Sequence, residues 1–340
     1  MEDISQNSIP SIEVKGLCKN YGPVAALRDV SFSVCKGEVV GFLGPNGAGK
    51  TTMLRILCGL MPANAGMASV CGVSLARDPL GARRHIGYMP ENNPLPEDLR
   101  VVEYLRLRAS LKNMSGRTLR RRVEEVMELC DLRRKARRKL IGSLSKGYRQ
   151  RVGIADAILA KPDVAILDEP TIGLDPHQVL TIRKLLGELR GQMTIVISSH
   201  ILPEIELSCD RVIIMNNGRV VAIGTPGELR DEFVREHCFV VEASGDVDGL
   251  KAELARRRED LTISEEPRLP QPETPELRCF EARTKSADDI SDLLLSTACA
   301  LPSVKIRSFY RRKPTLEDVF IAATVRNWET TTDNHETATR

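Results

Sequence analysis

The stretch GPNGAGKTT, Gly44 to Thr52, constrains this chain more than any other. Before it stands EVVGFLG, Glu38 to Gly44, a short apolar run of the kind that makes a buried strand. After it comes KTTMLRILCGL, Lys50 to Leu60, in which Leu54, Ile56 and Leu57 have helical spacing. Strand, glycine-rich turn and helix together predict one repeat of an α/β sheet with a phosphate cradle in the turn. Gly44, Gly47 and Gly49 permit backbone angles that aim a row of N–H groups at one point, and the helix N-terminus makes that point more positive. Pro45, Asn46, Ala48 and Thr52 complete the loop. Lys50 can then reach the outer phosphates of a nucleotide, and the Thr51 hydroxyl can ligate Mg²⁺. A glycine-rich turn without a ligand is the bland alternative, against which the full G-x-x-x-x-G-K-T pattern argues in this setting.

Composition bounds the rest. With 340 residues, 42% apolar and 28% charged, the chain can bury a full core in one large domain plus a smaller one. No run approaches the roughly eighteen apolar residues of a spanning helix, and MEDISQNSIP at the start lacks the layout of a secretory signal. The expectation is a chain that stays in the cytoplasm and borrows any membrane it works at. Nine cysteines form no C-x-x-C pair, which fits reduced thiols and offers no metal-site spacing. A formal charge of +3 gives no pointer to nucleic acid.

Two further apolar runs end in chemistry. DVAILDEP delivers Asp168 and Glu169 to a strand exit, where ligands bind in open α/β sheets. Asp168 can hold Mg²⁺, and Glu169 can orient or deprotonate an attacking water. MTIVISSH, Met193 to His200, brings His200 to the same edge, where its imidazole can bond a terminal phosphate. Acidic residues also end strands without function, and a lone histidine after a strand is commonly a surface residue.

In order along the chain stand Tyr21 in KNYGPVAAL, the loop at Gly44 to Thr52, IGYMPENNP at Ile86 to Pro94, LSKGYRQR from Leu144, VAILDEPT, GLDP at Gly173 to Pro176, and His200. Over about residues 11 to 230 this order resembles the nucleotide-binding subunit of an ATP-binding cassette (ABC) transporter. The resemblance implies a P-loop NTPase cassette, residues 11–234, with a helical subdomain at about 92–160. It further implies that Ser145 and Gly147, flanked by Lys146 and Tyr148 in the signature stretch, face the γ-phosphate held by the P-loop of a second copy. A helix start carrying a serine and a small glycine is a second anion site, spare within one subunit and necessary between two. ATP and Mg²⁺ are the implied ligands, and a homodimer with two sandwiched ATP molecules is the implied assembly. Asp175 would sit at the subunit boundary and Tyr21 would stack on adenine.

Two stretches depart from the family pattern. Glu91 stands where a glutamine is usual; its carboxylate is a good hard-oxygen ligand for Mg²⁺ but adds negative charge near the γ-phosphate. The signature stretch has Lys146 and Tyr148 in place of glycine and glutamine. Arg117 to Lys139 carries ten basic residues against four acids in a mostly helical stretch, either a solvated face or a surface toward a membrane subunit and anionic lipid.

After VIIMNNGRVVAIG, whose Asn217-Gly218 pair predicts a hairpin turn, TPGELRDEF closes the cassette as a helix. Residues 235–326 then read β-α-β-β-α-β: strands at Phe239 to Ala243, Leu261 to Glu265, Leu277 to Ala282 and Val304 to Tyr310, helices at Gly249 to Glu259 and Ala287 to Ala298. That order predicts a small ferredoxin-like α+β domain, with EEPRLPQPETPE as an exposed loop. The helix Pro314 to Thr324 resembles the closing motif of cassettes that partner ABC-2 type membrane subunits, a group rich in exporters, and residues 327–340 read as a disordered tail. The leading expectation is an ATPase that powers a separate integral membrane permease from the inner face of the cell membrane, with no nucleic acid partner. The alternative is a soluble cassette ATPase acting on ribosomes or DNA. Those branches usually carry two cassettes or a long coiled coil, whereas here only 95 positions separate Lys50 from Ser145 and no second P-loop occurs.

Overall fold

The computed structural model describes residues 9–234, 236–265, 277–284 and 290–324. They divide into two compact units, one running to Pro226 and one starting at Gly227.

The first unit is built on a six-stranded sheet. Its strands are β3 (Val39–Leu43), β6 (Ile86–Met89), β7 (Val164–Asp168), β8 (Thr194–Ser199), β9 (Arg211–Asn216) and β10 (Arg219–Gly224), in the order β10-β9-β3-β8-β7-β6. All neighbours are parallel except the β9–β10 hairpin, which turns at Asn217 and Gly218, both left-handed with φ of 48° and 76°. Every residue of β3, β7 and β8 is buried, the pattern of parallel strands covered on both faces, and it explains why they read as unbroken apolar runs. Register then sets the edge: Leu43 pairs with Ser199 and Asp168 with Ser198. The residues that follow these three strands therefore emerge side by side, at the carboxyl ends where such sheets bind ligands.

A second, antiparallel sheet holds β1 (Ile12–Tyr21), β2 (Val24–Val34), β4 (Ala65–Val70) and β5 (Val73–Ser74) in the order β2-β1-β4-β5. Helix α1 (Lys50–Leu57) packs between these layers, burying Met53, Leu54, Ile56 and Leu57 in one cluster with Val14, Val30, Phe42 and Ile166. It stops three residues short of the sequence expectation because Gly59 turns left-handed, with φ of 63°. A short α2 (Pro79–Arg84) leads into β6.

Two helices follow, α3 (Val101–Leu111) and α4 (Gly116–Leu129), parted by a left-handed Asn113, and the basic stretch begins in the second of them. They pack on α5 (Lys146–Ile158), buried from Gln150 to its end. Buried Arg122 caps that end, its guanidinium donating to the carbonyls of Leu159 (2.9 Å) and Ile158 (2.6 Å). Around Asp156, Arg108 Nε (2.9 Å) and the Tyr104 hydroxyl (3.1 Å) donate to the carboxylate, and Lys112 Nζ donates to the carbonyl (2.8 Å). Helices α6 (Pro176–Leu189) and α7 (Leu202–Ser208) complete the unit, and α8 (Pro226–Phe233) begins at its boundary.

The second unit runs β11 (His237–Ser244), α9 (Val247–Arg257), β12 (Thr262–Glu265), β13 (Arg278–Thr284), α10 (Ser291–Cys299) and β14 (Lys305–Arg312). Its sheet order β12-β13-β11-β14, with every pair antiparallel, is the ferredoxin-like arrangement. Phe239, Val241, Leu250, Leu254, Phe280 and Leu294 form its own core. Residues 316–324 are helical, with Leu316, Val319 and Ala323 buried. The proline-rich loop beyond Glu265 and the tail at 327–340 lie outside the described residues.

Candidate nucleotide site

The loop Gly44 to Thr52 leaves β3 and enters α1 as an open cleft lined by Pro45 to Thr52, Glu91, Glu169 and His200. Val24, Ala25 and Ala26 of β2, together with Ile172, complete the lining. The loop has little room to change. Gly49 sits at φ 101°, and a Cβ there would meet the Ala26 carbonyl at 2.7 Å. The Gly218 amide donates to the Ala48 carbonyl at 3.1 Å, so the β9–β10 hairpin braces the cradle from behind. Lys50 is buried, and its Nζ donates to the carbonyls of Gly44 (2.6 Å) and Pro45 (3.2 Å). Burial lowers its pKa, opposed by the charges of Glu169, Asp168 and Glu91. Thr51 and Thr52 stand in the first turn of α1 with their side chains half-buried.

The acidic end of β7 is organised by a residue that sequence reasoning passed over. Ser198, fully buried on the neighbouring β8, donates its hydroxyl proton to Asp168 Oδ1 at 2.6 Å and accepts the Glu169 amide at 2.9 Å. The signal was the hydroxyl pair in ISSH, small polar residues at a strand end. Asp168 Oδ2 is buried with no hydrogen-bond partner among the described residues. Burial raises the Asp168 pKa, and the Ser198 hydroxyl opposes the shift. Asp168 is not among the residues lining the cleft, though its charge acts on Lys50 there. Its unpartnered carboxylate oxygen, with the Glu91 carboxylate and Thr51 hydroxyl of the cleft lining, is an all-oxygen donor set that fits a hard cation such as Mg²⁺.

Glu169 adopts a left-handed backbone, φ 51°, uncommon for a residue with a side chain. The turn sends its carboxylate into the cleft, where Oε2 meets His200 Nδ1 at 2.9 Å. Burial raises the Glu169 pKa, opposed by His200 and then Lys50. A carboxylate with a raised pKa, oriented by an imidazole and facing a phosphate cradle, is suited to accept a proton from water.

The signature stretch lies elsewhere. Ser145 is the exposed N-cap residue of α5, its side chain making no capping hydrogen bond, and neither it nor Gly147 lines the cleft. Gly147 is buried, and the Gln178 side chain of α6 occupies the space a Cβ would take. Lys146 is exposed beside Gly173, and the Tyr148 ring lies 4.2 Å beneath the Arg151 guanidinium, which also donates to Asp131 Oδ2 at 2.8 Å. Asp175 is exposed and caps α6, accepting the Gln178 amide at 3.0 Å. Tyr21 is half exposed at the end of β1 and does not line the cleft; its hydroxyl contacts Met61 Sδ at 3.2 Å. No described helix is long and apolar enough to cross a membrane.

Comparison with known proteins agrees with this geometry. A family model described as ABC transporter matches residues 27–172. The chain is 34% identical over 326 residues to Nod factor export ATP-binding protein I of Ralstonia nicotianae, covering 94% of this chain and 95% of that one. It is 31% identical over 336 residues to doxorubicin resistance ATP-binding protein DrrA of Mycobacterium tuberculosis, covering 96% and 97%. Among solved structures, a dimeric ATP-binding cassette bound to ADP and Pi superposes with a TM-score of 0.58 at 28% identity, over 63% of this chain and 98% of that one.

Proposed function

This chain belongs to the family of ABC transporter ATP-binding proteins, and on that premise we propose that two copies close head to tail over two ATP molecules to power a separate integral membrane permease in the direction of export. It is an ATP-binding and ATP-hydrolysing subunit. The observation that carries the pairing is the separation of two anion sites: the cleft already holds a P-loop, while the exposed start of α5 at Ser145 offers a second site outside that cleft.

In this reading the loop Gly44 to Gly49, through its N–H groups other than at Pro45, and Lys50 hold the phosphates. Glu169 takes the proton of the attacking water, and His200 orients that carboxylate and reaches the terminal phosphate. Thr51, Glu91 and Asp168 would hold Mg²⁺, which when bound neutralises phosphate charge. Ser145 and Gly147, with Lys146 and Tyr148 beside them, would meet the γ-phosphate on the second copy, and Asp175 would align the groups at the boundary. Tyr21 is the residue for the adenine ring. Export is favoured because relatives named for Nod factor export and doxorubicin resistance match nearly the whole chain, including the ferredoxin-like unit. The protein then works in the cytoplasm at the inner face of the membrane, held there by its permease and with no role for nucleic acid.

The test is purification of the tagged chain from gently solubilised host membranes, with its companions identified by mass spectrometry. A multi-spanning membrane protein is the expected companion. Ribosomal proteins or nucleic acid without one would overturn the transport reading and leave the ATPase site standing.

A further inference from the structure

Three residues unused by the nucleotide site meet at the opposite edge of the large sheet, where the parallel strands begin. His85 directly precedes β6 and Asp163 directly precedes β7, and the pairing of Ile86 with Val164 fixes them side by side. The Val164 amide donates to the His85 carbonyl at 2.9 Å, which locks that register. Cys71 reaches the same point from the other sheet. It sits in the turn between β4 and β5 with φ of 50°, its amide donating to the Ser11 carbonyl at 2.9 Å. The result is a cluster in which the Cys71 sulfur, one imidazole nitrogen of His85 and one carboxylate oxygen of Asp163 all lie within 4.8 Å of one another. Within it, His85 Nδ1 and Asp163 Oδ2 are 2.7 Å apart.

We propose that Cys71, His85 and Asp163 form a binding site for a divalent transition-metal ion of the zinc class. The donor set is the argument. A sulfur, an imidazole nitrogen and one carboxylate suit zinc, whereas the oxygen-only set at Asp168, Glu91 and Thr51 suits Mg²⁺. Ligand atoms around a tetrahedral zinc stand about 3.3–3.6 Å apart, given metal–ligand bonds of about 2.0–2.3 Å. The cluster reaches that geometry by small side-chain rotations. The half-exposed Asp163 carboxylate swings outward and the ion replaces the proton it shares with His85, while the thiol releases its own proton to solvent. Three protein ligands leave the fourth position to water. The bound ion ties the β4–β5 turn to the edge of the parallel sheet, cross-linking the two layers. Spacing rules miss such a site because Asp163 lies 78 positions beyond His85 and no C-x-x-C pair marks it.

The full chain, stripped with chelator and kept reduced by a non-chelating phosphine, is titrated with Co²⁺ as a spectroscopic stand-in for zinc. The expected result is a sulfur-to-cobalt charge-transfer band with intense tetrahedral visible bands at one equivalent, bleached by Zn²⁺. Cys71→Ser removes the charge-transfer band, and His85→Ala and Asp163→Asn each weaken Zn²⁺ binding about 10-fold or more. Cys35→Ser, at an exposed thiol elsewhere, leaves the spectrum unchanged. A spectrum without the sulfur band, a band that survives Cys71→Ser, or unchanged affinity in Asp163→Asn would overturn the site. Should Cys71→Ser fail to fold, the Asp163→Asn titration decides, together with melting: Zn²⁺ must raise the melting temperature of the unmodified chain and not that of Asp163→Asn.

Discussion

Replacing Glu169 by glutamine isolates the chemical step. The two side chains have the same shape, so the glutamine can keep the 2.9 Å contact with His200. The bonds that hold the turn, from the Glu169 amide to the Ser198 hydroxyl (2.9 Å) and carbonyl (3.2 Å), are made by backbone and do not change. The left-handed backbone at φ 51° strains glutamate and glutamine alike. What disappears is the proton acceptor. Loss of a positioned general base costs about 10²–10⁴-fold in rate, which is about 2.7–5.4 kcal/mol of barrier at ~1.36 kcal/mol per decade. Phosphate release at saturating ATP should fall by that factor while ATP affinity, measured by calorimetry, stays the same. A variant that turns over at the rate of the unmodified chain would refute the assignment of Glu169 as base.

Glu91→Gln removes a negative charge from the cleft and leaves an oxygen ligand, so ATPase activity should persist; a dead enzyme would show that the carboxylate itself is required. The pH dependence follows from the raised pKa of Glu169: as pH falls through it the carboxylate takes up a proton, so the acid limb of turnover lies above the ordinary glutamate value of 4.5, and a limb at or below that value would contradict the burial argument. The same shift means that the folded chain holds this proton more tightly than the unfolded chain. Glu169 therefore subtracts stability as pH rises from 4.5 through its folded pKa, a slope that Glu169→Gln removes in chemical denaturation curves. Arg122→Ala strips two buried carbonyls at the end of α5 of their donors and should destabilise the first unit by about 2–4 kcal/mol in urea unfolding; an unchanged midpoint would refute the capping role.

The sequence made the nucleotide edge legible because buried parallel strands read as apolar runs, and the residue after each run has one place to go. Leu43, Asp168 and Ser199 end their strands within a residue of expectation, which is why the P-loop, Glu169 and His200 converge. Side-chain partners across strands were not legible. Ser198 holds the Asp168 carboxylate through a contact between residues 30 positions apart and the Glu169 amide beside it, and no local pattern announces either. The same holds for Gly147, against which the Gln178 side chain of another helix packs, and for the Arg122 cap on α5. Helix ends are set locally: α1 stops where Gly59 turns left-handed, and α3 is parted from α4 at left-handed Asn113. In the second unit the β-α-β-β-α-β order of the elements was enough to predict the ferredoxin-like sheet, since that order has one common way to pair its four strands.

The head-to-tail dimer is the central claim, and mass in solution tests it most directly. Glu169→Gln with ATP and Mg²⁺, run by light scattering after gel filtration, should double from the 37.7 kDa of one chain. Adding Ser145→Arg to that variant should return it to one chain while ATP still binds, because the blocked surface belongs to the partner's phosphate and not to its own. Doubling that survives Ser145→Arg, or no doubling with ATP at all, would contradict the account.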